Sequence, residues 1–178
     1  MQMYKALNPD AEVNGEAILF FVAGTGIFKD NALRVLRENG IENPEPGGWY
    51  SQQAWLDSFK AIGEKYGNNT LKMIGRSIPE NADFPNGINT VETALMSLDA
   101  TYRANHRKGE IGSYEFAGTG ERSASVVCNN PFPCAYNEGL IRATAEKFKP
   151  ADSRAVIVTH GEGNCIDTGG MCTFYIEW

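Results

Sequence analysis

The sequence predicts an α+β fold, with helices packed on one face of a mainly antiparallel sheet of about four strands and a strand-rich C-terminal half. Two patterns carry this expectation. In the N-terminal half, apolar residues recur at helical spacing, with Trp55, Phe59, Ile62 and Tyr66 in one stripe and Val91, Leu95, Leu98 and Tyr102 in another. Beyond Gly109 the period falls to two, and turn residues separate short runs rich in aromatic and β-branched residues. With 178 residues and 42% hydrophobic content, the chain is long enough for one good core and short for two ordinary domains, so 1–178 reads as a single unit.

The elements follow in order. Glu16 to Ala23 reads as a short buried strand or apolar segment, and a helix runs from about Asp30 to Asn39, where Gly40 can end it. Pro44 to Gly48 is a loop. Ser51 is placed to cap the Trp55 helix, which Gly67 closes, and Thr70 to Ile78 forms a short helix stopped by Pro79. After an exposed loop from Asn81 to Gly87, Asn89 with Glu92 fits a capping box for the Val91 helix, which ends near His106 to Gly109. Ile111 to Phe116 and Ser123 to Cys128 read as strands joined by the Gly118-Thr-Gly120 turn. Asn137 is expected to cap a helix reaching Phe148, and Arg154 to His160 and Cys172 to Trp178 are the last strands. In the final strand Cys172, Phe174, Ile176 and Trp178 share one apolar face.

Composition excludes several classes. A net charge of −6 argues against a nucleic-acid surface, and the basic cluster Arg103, His106, Arg107 and Lys108 is read as a helix C-terminus complementing its dipole. No apolar run is long enough for a membrane span, and no secretory pattern opens the chain, so a cytoplasmic location is expected. Gly24-Thr-Gly26 lacks the third glycine of a dinucleotide fingerprint and is read as a turn. Two histidines and no HExxH motif leave no histidine-based hydrolase site, and an enzyme is not the favoured reading.

Four cysteines lie in two short clusters, Cys128 with Cys134 and Cys165 with Cys172. Two loop pairs of thiols suit a tetrahedral metal, zinc first and an iron–sulfur cluster as the alternative; inert buried thiols or a redox pair are the competing readings. Glu162 and His160 stand beside the second pair. The aromatic residues Trp49, Trp55, Tyr102 and Phe116, with His106 as the polar contact, suit a pocket for a hydrophobic or aromatic small molecule.

The segments "HGEGNCIDTGGMCTFYIEW" and "NNPFPCAYNEGLI", together with the element order, resemble a small-molecule-binding superfamily. It includes the 4-vinyl reductase domain, sensor domains of phenol-responsive bacterial activators, Golgi-tethering subunits and, more distantly, haem nitric-oxide sensors. In the activator branch zinc is held by an upstream cysteine, an acidic residue and two C-terminal cysteines. The resemblance thus implies Cys134, Glu162, Cys165 and Cys172 as ligands, with Cys128 and His160 as alternates. It implies a non-enzymatic sensor acting through a homodimer or a separate signalling partner. The alternatives are a tetrapyrrole-binding (haem) or iron–sulfur redox protein or reductase, and an assembly subunit.

Overall fold

The computed structural model describes residues 2–162, 165–166 and 169–178. Strand β1 (Glu12–Asn14) leads directly into helix α1 (Gly15–Gly24), because the Asn14 side chain accepts the Glu16 N–H at 2.7 Å and so caps the first turn. The run from Glu16 to Ala23, read as a short buried strand or apolar segment, is therefore a helix. Ala17, Ile18, Phe21 and Val22 are all buried, and a helix covered on most sides loses the polar face that marks its period.

Helix α2 (Lys29–Glu38) follows, then strand β2 (Trp49–Ser51) and helix α3 (Gln52–Tyr66). Ser51 Oγ accepts the Ala54 N–H at 3.3 Å, and Gly67, at φ 79°, ends α3 as expected. Helix α4 (Asn68–Asn81) carries Pro79 inside its last turn where a stop was expected. Its bonds resume beyond the proline, with Ala82 N–H on the Ile78 carbonyl at 2.9 Å.

Helix α5 (Val91–Ala104) is capped one residue later than expected. Thr90 and Thr93 bond each other's backbone N–H reciprocally, and Asn89 with Glu92 does not form the box. The helix also ends before His106. Strand β3 (His106–Arg107) turns away from it and pairs with β1, Val13 opposite His106, in a three-stranded sheet of order β2-β1-β3. Strands of two or three residues are too short to show a period, so nothing in the sequence announced this sheet.

The second sheet matches the expected one except at its first hairpin, where β4 runs on through Gly118 to Gly120 and the turn falls at Glu121 and Arg122. Strands β4 (Ser113–Gly120), β5 (Ser123–Asn129), β6 (Ile157–His160) and β7 (Cys172–Glu177) run in the order β4-β5-β7-β6, all antiparallel. Cys172, Phe174 and Ile176 point into the core, and Tyr175 and Glu177 face solvent.

Between β5 and β6 lies α6 (Cys134–Phe148), which starts three residues before the expected cap because Pro133 sets the extended entry. Asn137 is buried inside the helix instead: its Oδ1 accepts the Tyr114 hydroxyl at 2.7 Å and its Nδ2 donates to Asn130 Oδ1 at 3.2 Å. Helices α4 and α6 cross with backbones nearly touching. A Cβ on Gly75 would strike the Tyr136 carbonyl, and one on Gly139 the Lys72 carbonyl, so both positions require glycine. No helix among the described residues is long and apolar enough to cross a membrane.

Candidate functional site

Two places in the fold concentrate chemistry, and each holds one of the two histidines. The first is an apolar cavity of about 100 Å³ between α3, α5, α6 and the segment after α4, lined among others by Trp55, Leu98, Tyr102, His106, Phe132 and Tyr136. Its roof, from Pro79 to Pro85, is tied down by Lys147, whose Nζ donates to the Pro79 carbonyl at 2.7 Å and the Ala82 carbonyl at 3.1 Å. Phe84 packs edge-on to Phe148, ring centroids 4.9 Å apart.

His106 enters this cavity because α5 stops at Ala104 and the chain reverses into β3. Its Nδ1 lies 2.8 Å from the Tyr102 carbonyl oxygen, which can only accept, so the proton sits on Nδ1 and Nε2 carries a lone pair. Burial pushes its pKa down to about 4, so the ring is neutral near pH 7. Nε2 is buried without a hydrogen-bond partner among the described residues. So are Trp55 Nε1, on a ring 6.1 Å from His106 by centroids, and Gln52 Oε1. Gln52 Nε2 donates to the Tyr102 hydroxyl at 3.4 Å, which in turn donates to the Ile111 carbonyl at 2.5 Å. Buried polar groups are almost always satisfied, and leaving one unmade costs about 1–3 kcal/mol. Of these three residues Trp55 and His106 line the cavity, and Gln52 joins it through the Tyr102 hydroxyl.

Trp55, Tyr102 and His106, three of the residues expected at a ligand pocket, line this cavity. Trp49 and Phe116 do not line it: Trp49 lies half-buried on β2 under the Arg107 guanidinium, 4.3 Å from its ring centroid, and Phe116 is half-buried on β4. Phe132 is the wall that sequence reasoning missed. Set between two prolines and outside any periodic stripe, it is nonetheless 1% exposed and meets Trp55, Phe59 and Tyr136 at centroid distances of 5.2, 5.5 and 5.2 Å.

The second place is a cysteine–histidine cluster. Cys134 opens α6, His160 ends β6, Cys172 opens β7, and Cys165 lies in the connection between the two strands; their ligand atoms all lie within 4.8 Å of one another. Gly169, at φ 84°, and the Gly170 N–H on the Cys165 carbonyl at 2.8 Å turn that connection back towards Cys172. Cys165 Sγ is 3.8 Å from Cys172 Sγ, matching the about 3.8 Å edge of a tetrahedron with zinc–sulfur bonds of about 2.3 Å. Cys134 Sγ is closer to Cys165 Sγ, at 3.0 Å. His160 Nε2 is buried and, among the described residues, has no hydrogen-bond partner.

The thiols share their charge unequally. Cys172 is pulled down to about 5, chiefly by the Cys134 thiol, then by the facing His160 imidazole and the Ile166 N–H, and Cys134, beside that thiolate, is pushed up. Glu162 is exposed and stands outside the group, as does Cys128, which is buried on β5 opposite Cys172. Gly163, Asn164, Asp167 and Thr168 of the "HGEGNCIDTGGMC" motif lie outside the described residues.

No family model matches the sequence, and no curated protein matches it. Solved structures do. The chain is similar to an H-NOX (heme nitric oxide/oxygen binding) protein from S. oneidensis in the Fe(II)NO ligation state, at 13% identity and TM-score 0.65, covering 90% of this chain and 97% of that one. It is similar to Cs H-NOX carrying an unnatural amino acid, at 15% identity and TM-score 0.69, with 92% and 95% covered. An unliganded Fe(II) H-NOX variant from K. algicida matches at 12% identity and TM-score 0.64, with 92% and 95% covered. The α+β architecture is that of the H-NOX fold. At these identities the likeness carries the fold and leaves the ligand to be read from the residues. Nothing in these matches points to the 4-vinyl reductase branch.

Proposed function

We propose that the chain is a non-enzymatic sensor domain that binds a small, uncharged, largely apolar molecule against His106 Nε2. One observation carries the reading: a neutral imidazole whose Nε2 has no partner among the described residues faces an apolar, aromatic-lined cavity. The ligand that satisfies it has a flat apolar body and one hydroxyl or N–H donor, with Trp55 Nε1 available to its oxygen. The cavity's 100 Å³ is close to the roughly 150 Å³ that holds a benzene ring and well below the roughly 300–1,000 Å³ of drug-sized ligand sites. A thermal-shift panel of phenol, indole and their charged or purely aliphatic counterparts tests it. Stabilisation by the neutral aromatic donors, lost in His106→Leu, supports the proposal; a flat response across the panel sinks it.

Haem is the second reading, favoured by the H-NOX neighbours and by His106 Nε2, since a buried neutral imidazole whose Nδ1–H is held by a carbonyl is a suitable axial ligand. The rest of the cavity does not fit the group. Its volume is far below that of a porphyrin, and among the described residues its charged lining is Asp83, while the nearby Lys147 is engaged on the Pro79 and Ala82 carbonyls, so two propionates would meet a carboxylate and no uncommitted cation. A Soret band in protein expressed with haem supply would overturn this preference.

The cluster of Cys134, His160, Cys165 and Cys172 is part of the same proposal, as a structural zinc site. Three thiolates and one imidazole are a common closed zinc set, and here they would tie α6 to β6 and β7. His160 takes the place that the resemblance implied for Glu162. Thiolate ligands in such a site suit a cytoplasmic setting. Output would pass through a second copy or a separate signalling polypeptide. About one zinc per chain by elemental analysis supports the site, and metal-free protein with its full complement of titratable thiols refutes it.

A further inference from the structure

The chain holds three Asn-Gly pairs, Asn14–Gly15, Asn39–Gly40 and Asn86–Gly87. In such a pair the glycine nitrogen can reach the asparagine side-chain amide, because no Cβ shields it. The fold treats the three differently. At the first, Asn14 Oδ1 accepts the Glu16 N–H at 2.7 Å and the Gly15 N–H donates to the Gly48 carbonyl at 2.9 Å. At the second, Asn39 Nδ2 donates to the Val35 carbonyl at 2.8 Å and the Gly40 N–H to the Arg37 carbonyl at 3.0 Å. In both, the side-chain amide and the glycine N–H are each engaged elsewhere. Asn86 and Gly87 are exposed, and among the described residues neither the Asn86 side chain nor the Gly87 N–H has a partner. They form the centre of a turn closed by the Ile88 N–H on the Pro85 carbonyl at 3.2 Å, with Gly87 at φ 99°. This turn lies between α4 and α5, directly after the roof of the cavity: Asp83, Phe84 and Pro85 line that cavity, and Lys147 Nζ sits 4.8 Å from the Phe84 ring centroid.

We propose that Asn86 is a self-modifying site whose product, a β-linked aspartate, loosens the roof of the cavity. The Gly87 backbone nitrogen gives its proton to hydroxide and adds to the Asn86 side-chain carbonyl carbon. The side-chain nitrogen then leaves as ammonia, taking a proton from water and restoring the hydroxide. One C–N bond forms and one breaks, and the product is a cyclic imide. Water opens the imide at either carbonyl. Opening at the backbone carbonyl routes the chain through the former side chain, one methylene longer, and opening at the other gives ordinary aspartate. Asparagine and one water thus become a carboxylic acid and one ammonia. The new carboxyl, with an ordinary pKa of about 3.9, is ionised at neutral pH and joins the exposed Asp83 on the same loop. The longer backbone breaks the register of the Pro85–Ile88 turn, and Pro85 is part of the cavity lining. The consequence for a ligand rests on the cavity reading above, and the modification itself does not.

The test incubates the full chain in mildly alkaline ¹⁸O-water, folded and in urea, and follows each Asn-Gly pair by peptide mass spectrometry with fragmentation that separates β-linked from ordinary aspartate. In the folded chain Asn86 is expected to convert first, to a labelled and mainly β-linked product, while Asn14 and Asn39 stay intact. In urea the three pairs are expected to react at similar rates, because the difference between them lies in the fold. Asn14 or Asn39 converting as fast as Asn86 in the folded chain, or Asn86 surviving there while the unfolded chain reacts, overturns the proposal. The β-linked fraction, isolated by ion exchange, is expected to bind phenol about fivefold more weakly than fresh protein, the equivalent of one ordinary hydrogen bond. Asn86→Asp, which has the charge without the extra methylene, is expected to bind as fresh protein does, and Asn86→Gln to keep its affinity through the incubation. Equal phenol affinity of the β-linked and fresh chains overturns the loosened roof. If phenol binds neither, the cavity reading fails alone, and the mapped conversion still decides the modification.

Discussion

The Tyr102 carbonyl oxygen, 2.8 Å from His106 Nδ1, fixes which nitrogen of His106 faces the cavity. Tyr102 and His106 stand four residues apart, across the point where α5 gives way to β3, so the end of a helix sets the tautomer of the candidate ligand contact. Burial does the rest by keeping the ring neutral.

That depressed pKa has a stability consequence. The folded-state value of about 4 lies below the ordinary 6.5, so the unfolded chain binds the proton more readily and the contribution is present above pH 6.5. It is lost as pH falls from 6.5 through about 4, and amounts to on the order of 3 kcal/mol at most. Denaturant unfolding at stepped pH is expected to show this loss in the wild type and a flatter profile in His106→Gln. Parallel profiles would contradict it.

Substituting His106 by leucine removes a buried Nε2 that has no partner among the described residues, at the loss of the Nδ1 bond to the Tyr102 carbonyl. Stability of the ligand-free chain at pH 7 is expected to stay within about 1 kcal/mol of wild type or to rise, because an unmade buried hydrogen bond is itself destabilising. A fall of several kcal/mol in urea unfolding would mean that His106 is a structural residue.

Phe132 gives the opposite expectation. It packs among Trp55, Phe59, Tyr136 and His106, so Phe132→Ala should cost about 3–5 kcal/mol by chemical denaturation. A cost under 1 kcal/mol would place this loop outside the core.

Much of this was legible in the residues. The Trp55 and Val91 stripes, the antiparallel C-terminal sheet and the inward face of Cys172 could be read because each has an unbroken period and one buried side. Helix α1 was hidden by its own burial, and β1, β2 and β3 by their length. The cysteines announced a cluster, but that His160 joins it depends on β6 delivering His160 beside Cys172 while Glu162 is exposed, which no spacing encodes. His106 was visible as a polar residue at a helix end; its unpartnered nitrogen is a property of the packed core.

The metal ligands should separate by substitution. In chelator competition, Cys134→Ser and His160→Ala are expected to weaken zinc binding by at least tenfold, with Cys128→Ser and Glu162→Gln close to wild type. A loss for Glu162→Gln equal to that for His160→Ala would restore the acidic ligand.

Lys147 holds the cavity roof through the Pro79 and Ala82 carbonyls. Lys147→Met should speed ligand association and dissociation together by stopped-flow fluorescence of Trp55, with a smaller change in the equilibrium constant. Unchanged rates would show that the ligand enters elsewhere.

With only two histidines in the chain, ¹⁵N imidazole NMR reads the candidate site without ambiguity. His106 is expected to keep a protonated Nδ1 and a bare Nε2 down to about pH 4, and its Nε2 resonance to move when a neutral aromatic donor such as phenol is added. A His106 that titrates near pH 6.5 and whose Nε2 responds to no such compound would contradict a ligand site at this residue.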